Sequence, residues 1–146
     1  PASKNPHLTP DDLAHLHGKA FQSTRGWTAQ EFADLLRQKT VHLCGDARCF
    51  MLIRVVADEA EILTIATDPN HLRQGLATKT LAEGEDIAIK CGAASIFLEV
   101  AEDNIAARGL YRKHGYKQVG TRPGYYMPKE GSAITAFVLR KDLLAT

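Results

Sequence analysis

Two short stretches carry residues whose type and spacing could do chemistry. In Ile96-Phe97-Leu98-Glu99-Val100 a glutamate interrupts an apolar run. A carboxylate inside a sheet is costly unless it is paired or neutral, and a desolvated carboxylate is the better proton acceptor that general-base work needs. The same glutamate on a solvent-facing edge would do nothing, and the residues alone leave both readings open. The second stretch, DPNHLRQGLATKT at 68–80, runs from a proline turn through Arg73 and Gln74 to Gly75 and then into a helical pattern. A helix start leaves its first N–H groups without intrahelical partners, and the helix dipole adds partial positive charge there. A phosphate or pyrophosphate suits that end. Gly75 would let an anion approach the backbone closely, and Ala77 keeps the next turn narrow. A plain strand-to-helix turn is the other reading. The stretch is not a P-loop, because Arg73 and Thr78 stand where its glycines belong. It is not a dinucleotide fingerprint either, since Gly75 is its one glycine.

The elements that must position these residues can be read from pattern and punctuation. Thr9-Pro10-Asp11-Asp12 opens a helix with an N-cap threonine and a proline in the first turn, and Leu13, Leu16 and Ala20 give it an apolar side. Thr28-Ala29-Gln30-Glu31 is a capping-box sequence followed by Phe32, Leu35 and Leu36 at helical spacing. Arg25-Gly26-Trp27 joins the two helices. The runs VHLC, CFMLIRVVA and AEILTIAT, broken at Gly45-Asp46 and Asp58-Glu59, read as three strands joined by hairpins. Residues 75–91 return to helical spacing, with Ala77, Leu81, Gly84, Ala88 and Cys91 on one stripe of small residues that lets a helix approach a sheet. Gly92 ends it. SIFLEV is a strand, Asp103 or Asn104 caps a helix ending at His114-Gly115, and 116–121 and 133–139 supply two more strands. The expected order is α-α-β-β-β-α-β-α-β-β, an α/β mixed sheet with helices packed on it, as one domain over residues 1–146.

Composition narrows the function classes. The 146 residues hold 18 Lys and Arg against 17 Asp and Glu, a net charge of +1. That balance argues against nucleic acid as a bulk electrostatic partner and leaves room for local patches. No apolar run approaches the roughly 18 residues of a membrane span, and PASKNPHLTPDD has no secretory pattern, so a cytoplasmic protein without a membrane partner is expected. Cys44, Cys49 and Cys91 are an odd set that reads as free thiols. Their spacing does not suggest zinc, the histidines show no HExxH and read as surface residues, and no metal is expected.

The motifs together resemble a known family. ATDPNHLRQGLATKTL resembles the acetyl-CoA-binding motif of the GNAT superfamily of N-acetyltransferases: a proline, two residues, then Gln/Arg-x-x-Gly-x-Gly/Ala. Gly75 and Ala77 match the glycine and the small residue, while Leu72 stands at the Gln/Arg position. IFLEVAEDNIAARGLYRKHGYKQVGTRPGYY resembles the ribosomal-protein-alanine (RimI-type) branch, with its Leu-Glu-Val strand, Asn-x-x-Ala helix start, Leu-Tyr-x-x-x-Gly-Phe/Tyr segment and Tyr-Tyr pair. RGWTAQEF resembles that family's Trp-containing entry to its second helix.

The resemblance implies an acetyl-CoA-dependent N-acetyltransferase acting on a protein N-terminal α-amine. A small-molecule amine acetyltransferase and a non-catalytic acyl-CoA-binding module are the alternatives. It implies Glu99 as base and Tyr111, with an ordinary pKa near 10, as the proton donor to the departing thiolate; a tyrosine on an amphipathic helix is otherwise core packing. The backbone of Arg73, Gln74, Gly75, Leu76, Ala77 and Thr78 would hold the pyrophosphate, and Ile65, Ala66 and Thr67 would pair with the pantetheine arm and offer an N–H to the thioester oxygen. Asn104 and Tyr111 would contact the cofactor, Asn104 being otherwise a helix cap. Trp27, Tyr125 and Tyr126 would line the acceptor groove, Trp27 being otherwise an anchor between helices. The implied partners are acetyl-CoA and an acceptor N-terminus, ribosomal proteins among the candidates, with the chain acting as monomer or homodimer.

Overall fold

The computed structural model describes residues 8–21, 26–126 and 134–143, with Tyr125 and Tyr126 described by backbone only. The elements in chain order are α1 (Pro10–Ala20), α2 (Ala29–Leu36), β1 (Val41–Asp46), β2 (Cys49–Val56), β3 (Glu59–Thr67), a 3-10 turn (Pro69–His71), α3 (Leu76–Lys90), β4 (Ser95–Ala101), α4 (Ile105–Lys113), β5 (Lys117–Tyr126) and β6 (Ile134–Asp142). This is the order expected from the sequence. The six strands form one sheet in the order β1-β2-β3-β4-β6-β5. All neighbours are antiparallel except β3 and β4.

Local chemistry accounts for the helix starts. Thr9 Oγ1 accepts from Asp12 N at 3.1 Å while Asp12 Oδ2 accepts from Thr9 N at 3.0 Å. Thr28 and Glu31 do the same at 3.1 and 2.9 Å. Each box satisfies two helix-end donors and is worth about 1 kcal/mol.

The sheet separates two cores. On one face Met51, Ile53, Ala60, Ile62, Ile96, Leu98 and Val100 pack under α3 (Leu81, Ala88) and α4 (Tyr111). On the other, Val41, Leu43, Phe50, Leu52 and Ala66 pack under α1 (Leu13, Leu16) and α2 (Phe32). The approach of α3 to β2 requires Gly84: a Cβ there would lie 1.7 Å from Met51 Cε.

Several local readings are corrected. The buried stripe of α3 is Leu76, Thr80, Leu81, Gly84 and Ala88. Ala77 is only half-buried, and Cys91, at the C-cap, is exposed. β5 runs to 126 rather than stopping at 121, because it is an edge strand where Pro123 removes no ladder bond and register shifts absorb the irregular backbone. His17 is not a surface residue but 4% exposed. Its ring lies 4.5 Å from Phe21, 5.0 Å from Trp27 and 5.7 Å from Phe32 between centroids, and Nδ1 accepts from Trp27 N at 3.3 Å. Trp27 and His17 thus pin α1 to α2. Among the described residues no helix is long and apolar enough to cross a membrane.

Candidate active site

The site lies where the parallel pair β3 and β4 comes apart. Their register covers only Glu59↔Ser95, Ala60↔Ile96 and Glu61↔Phe97. Beyond Glu61, β3 continues on β2 alone to Thr67 and β4 continues on β6 alone to Ala101. Among the described residues, Ile65, Ala66 and Thr67 have no strand partner on the β4 side. The result is a fork one arm of which presents unpaired backbone, the kind of edge an extended amide-bearing arm can join.

A bulge shapes this edge. The register against β2 passes from Leu52↔Thr64 to Ile53↔Ile62, so Leu63 is an extra residue. It reverses the alternation: Ala60 and Ile62 face the α3–α4 side before it, Ile65 after it. Bulges re-aim a strand where pairing ends.

The end of β3 is held firmly before the chain enters α3. Asp68 N donates to Arg48 O at 2.8 Å. Asp68 Oδ1 accepts from Asn70 N at 2.9 Å and Oδ2 from Lys19 Nζ at 3.0 Å. Those partners, the Asn70 N–H first, hold the Asp68 carboxyl below its ordinary value. Arg73 (φ 63°) and Gly75 (φ 74°) then take left-handed backbone. Gly75 is the N-cap of α3 and supplies no side-chain acceptor, and no acidic residue stands in the first turn. A Cβ at Gly75 would meet nothing within 4 Å. The helix end is therefore open, cationic in character and without a capping group of its own, which is the arrangement a pyrophosphate fits.

The other helix closes the region. Asn104 caps α4, accepting from Ala107 N at 3.2 Å, so the cap reading is what its contacts show. Thr78 Oγ1 lies 3.3 Å from His114 Nε2, joining the start of α3 to the end of α4. Ile105, Arg108, Gly109, Arg112 and Lys113 line a hollow of about 490 Å³ on α4. This basic cluster was not singled out from sequence; three basic residues on one short helix in a chain of net charge +1 were the available signal. Tyr111, 3% exposed, sits beneath, its ring 5.4 Å edge-on from Tyr116. Tyr116 O–H donates to Glu85 Oε2 at 2.7 Å and Lys141 Nζ to Glu85 Oε1 at 2.8 Å. Burial, then the bond to Glu85, pushes the Tyr116 phenol well above its ordinary value.

Glu99 lies on β4 just past the fork, opposite Val138. Its side chain is 17% exposed, and Oε1 accepts from Arg122 Nη1 at 2.7 Å. The solvent-facing alternative is thereby excluded for this residue: Glu99 is mostly buried and paired. Across the fork, Glu61 pairs with Arg54 at 3.8 Å. Burial pushes the Glu61 carboxyl above its ordinary value, Arg54 pulls it back, and the charge of Glu99 adds to the rise. Glu61 was missed by sequence reading. Ala60-Glu61-Ile62 alternates as an ordinary strand, with Glu61 on the face away from buried Ala60 and Ile62, so the pattern carried no signal; strand pairing, not pattern, brings it near Glu99. The backbone of 65–67 lies on one arm of the fork and Glu99 on the other, the 73–78 turn follows β3 into α3, and Tyr111 lies in the core beneath α4. Trp27 lies away in the α1–α2 packing, and the side chains of Tyr125 and Tyr126 lie outside the described residues.

Comparison with known proteins bears on the family and the fold. The sequence pattern of the acetyltransferase (GNAT) family matches residues 12–116. The [ribosomal protein bS18]-alanine N-acetyltransferase of Escherichia coli K12 is 38% identical over 87 residues, 60% of this chain and 59% of that protein. The N-alpha-acetyltransferase RimI of Mycobacterium tuberculosis is 36% identical over 100 residues, 68% of this chain and 60% of that protein. The matched stretch therefore spans less than two thirds of either relative. The crystal structure of the ribosomal-protein-S18-alanine N-acetyltransferase from Escherichia coli superposes with a TM-score of 0.82 at 27% identity, covering 94% of this chain and 89% of that one.

Proposed function

Because this chain belongs to the acetyltransferase (GNAT) family, whose members use acetyl-CoA, we propose that it transfers the acetyl group to the N-terminal α-amine of a protein. The observation that carries this reading is the fork: an unpaired β3 edge leads from an uncapped helix start to a buried carboxylate. The relatives named for N-terminal acetylation support the same branch, and a ribosomal protein N-terminus is the acceptor their names suggest. The setting is cytoplasmic.

Acetyl-CoA brings the thioester; the chain's residues do the rest. The N–H groups of 73–78 hold the pyrophosphate, with Arg108, Arg112 and Lys113 nearby to balance further phosphate charge. The edge at Ile65, Ala66 and Thr67 pairs with the pantetheine amides and presents an N–H to the thioester oxygen. Asn104 and Tyr111 border the same path, and Tyr111 holds the proton destined for the thiolate. Glu99, through water, takes the amine proton.

The energy of deprotonation favours the α-amine. With reference pKa values near 8 and near 10.4, making the amine neutral at pH 7 costs about 1.4 kcal/mol for an N-terminus and about 4.6 kcal/mol for lysine. One carboxylate acting through water manages the first far more readily. The test is a transfer assay on a peptide with a free N-terminus and an internal lysine, against polyamines and amino acids, read by mass spectrometry. Acetylation of the N-terminus is expected. Transfer mainly to lysine or to small amines would overturn the acceptor, and coenzyme binding without transfer to any amine would make the protein a binding module.

A further inference from the structure

We infer that Arg122, on the far strand of the sheet, is a positioning residue that sets the carboxylate plane of Glu99; the inference rests on the base role proposed for Glu99. Arg122 faces Ala136 on β6, and Ala136 faces Ala101 on β4. Gly120 faces Val138, and Val138 faces Glu99. Arg122 and Glu99 are therefore two strands apart, a backbone separation of about 10 Å, and two residues out of register. The 2.7 Å contact between them requires the arginine side chain to cross β6. The residues it crosses are small: Gly120, Ala136 and Val138 leave a low floor on that face. A long, planar cation over small neighbours is what such a reach needs.

The consequence is orientation. Fixing Oε1 of a mostly buried carboxylate, whose Oε2 is fully buried, fixes its plane and so the side from which a proton can reach the group. Arg122 also offsets the negative charge of Glu99 itself, which is close enough to Glu61 to act on its carboxyl. Arg54 does the same for Glu61 from the opposite arm. Arg54–Glu61 and Glu99–Arg122 are thus two ion pairs at the mouth of the fork, with the cations outside and the two carboxylates inside, where an amine arrives. Arg122 touches Glu99, not the amine, and acts through it.

The test is single-turnover transfer to one N-terminal peptide at saturating acetyl-CoA, using the parent, Arg122→Gln, Arg122→Lys, Glu99→Gln and the Arg122→Gln/Glu99→Gln double variant. Arg122 is 53% exposed, so the fold should survive, and Arg122→Lys keeps the charge if Arg122→Gln does not fold. Misplacing a catalytic group by about 1 Å costs on the order of 100-fold. Arg122→Gln should accordingly lose about 10-fold to 100-fold in rate with acetyl-CoA affinity by calorimetry unchanged, and Arg122→Lys should recover part of the loss. In the Glu99→Gln background the second substitution should cost nothing more, because the group it positions is gone. Losses that multiply in the double variant, or an Arg122→Gln rate equal to the parent, would overturn the inference while Glu99→Gln remained slow. A Glu99→Gln rate equal to the parent would instead remove the base role, and the positioning role with it.

Discussion

Alternate residues of β4 live in different surroundings. Ile96, Leu98 and Val100 are buried under α3 and α4, while Phe97, Glu99 and Ala101 are half-buried on the opposite face. That second face is covered by α1 and α2 only over β1–β3, and further along the sheet it carries the ion pairs Arg54–Glu61, Arg122–Glu99 and Arg140–Glu59. One strand therefore serves two purposes with a period of two. Its apolar face stabilises the fold; its polar face, left uncovered by helices, holds charge where a substrate can reach it.

The sharpest way to break this division is to substitute neighbours on opposite faces. Glu99→Gln should slow transfer by about 100-fold to 10,000-fold at neutral pH, with stability changed by less than about 1 kcal/mol, and should regain part of the rate at alkaline pH, where the amine loses its proton unaided. Ile96→Ala should do the reverse, costing about 2–5 kcal/mol of stability with little change in rate per folded molecule. Denaturant titration and a rate–pH profile of both variants check the pair. Two variants alike in stability and in rate would mean that the faces are not separate.

Gly75→Asp extends the comparison to the helix start. A Cβ there meets no atom within 4 Å, but Gly75 sits at φ 74°, where a side chain costs about 1 kcal/mol, so the melting temperature should fall slightly while the fold is kept. Acetyl-CoA affinity should fall by more than about 100-fold, equivalent to about 2.7 kcal/mol. Calorimetry decides it, and unchanged affinity would sink the pyrophosphate assignment.

Tyr111→Phe tests the one proposed reacting group that lies on the apolar face. Its ring packing against Tyr116 is preserved, so stability should change by about 1 kcal/mol or less. Turnover should fall about 10-fold or more with acetyl-CoA affinity intact. A parental single-turnover rate would assign Tyr111 to the core alone.

The smallest effect belongs to a charge on neither face. Asp46, in the β1–β2 hairpin, accepts from Arg48 N and Nη2, both at 2.8 Å. The Arg48 side chain is the first cause that lowers its carboxyl to about 2. A depressed carboxyl contributes stability above its unfolded value and loses it as pH falls through the folded one. Because the pair is about half exposed, Asp46→Asn should cost less than about 1 kcal/mol at pH 7. The difference from the parent should disappear between about pH 4 and pH 2, followed by denaturant titration at each pH.

By itself the sequence determined the element order, because capping residues, glycines and the change from period 3.6 to period 2 are local signals that survive without tertiary context. Thr28-Ala29-Gln30-Glu31, the strands from 41 to 67 and the helix opening at Gly75 were legible for that reason, and the family motif at 68–80 lay within them. What it could not decide was which residues meet. His17 read as a surface residue because the aromatic cage of Phe21, Trp27 and Phe32 forms only when α1 and α2 fold together. Cys91 read as core because helical spacing cannot say how far along α3 the sheet extends. The orientation of Glu99 was open until the sheet order placed β6 and β5 beside β4 and brought Arg122 across to it. Glu61 gained meaning only from the three-residue parallel register that sets it opposite Phe97 at the fork, two residues before Glu99 on the same face. Periodicity is written residue by residue along the chain, whereas strand order and the point where two strands part depend on contacts between residues tens of positions apart.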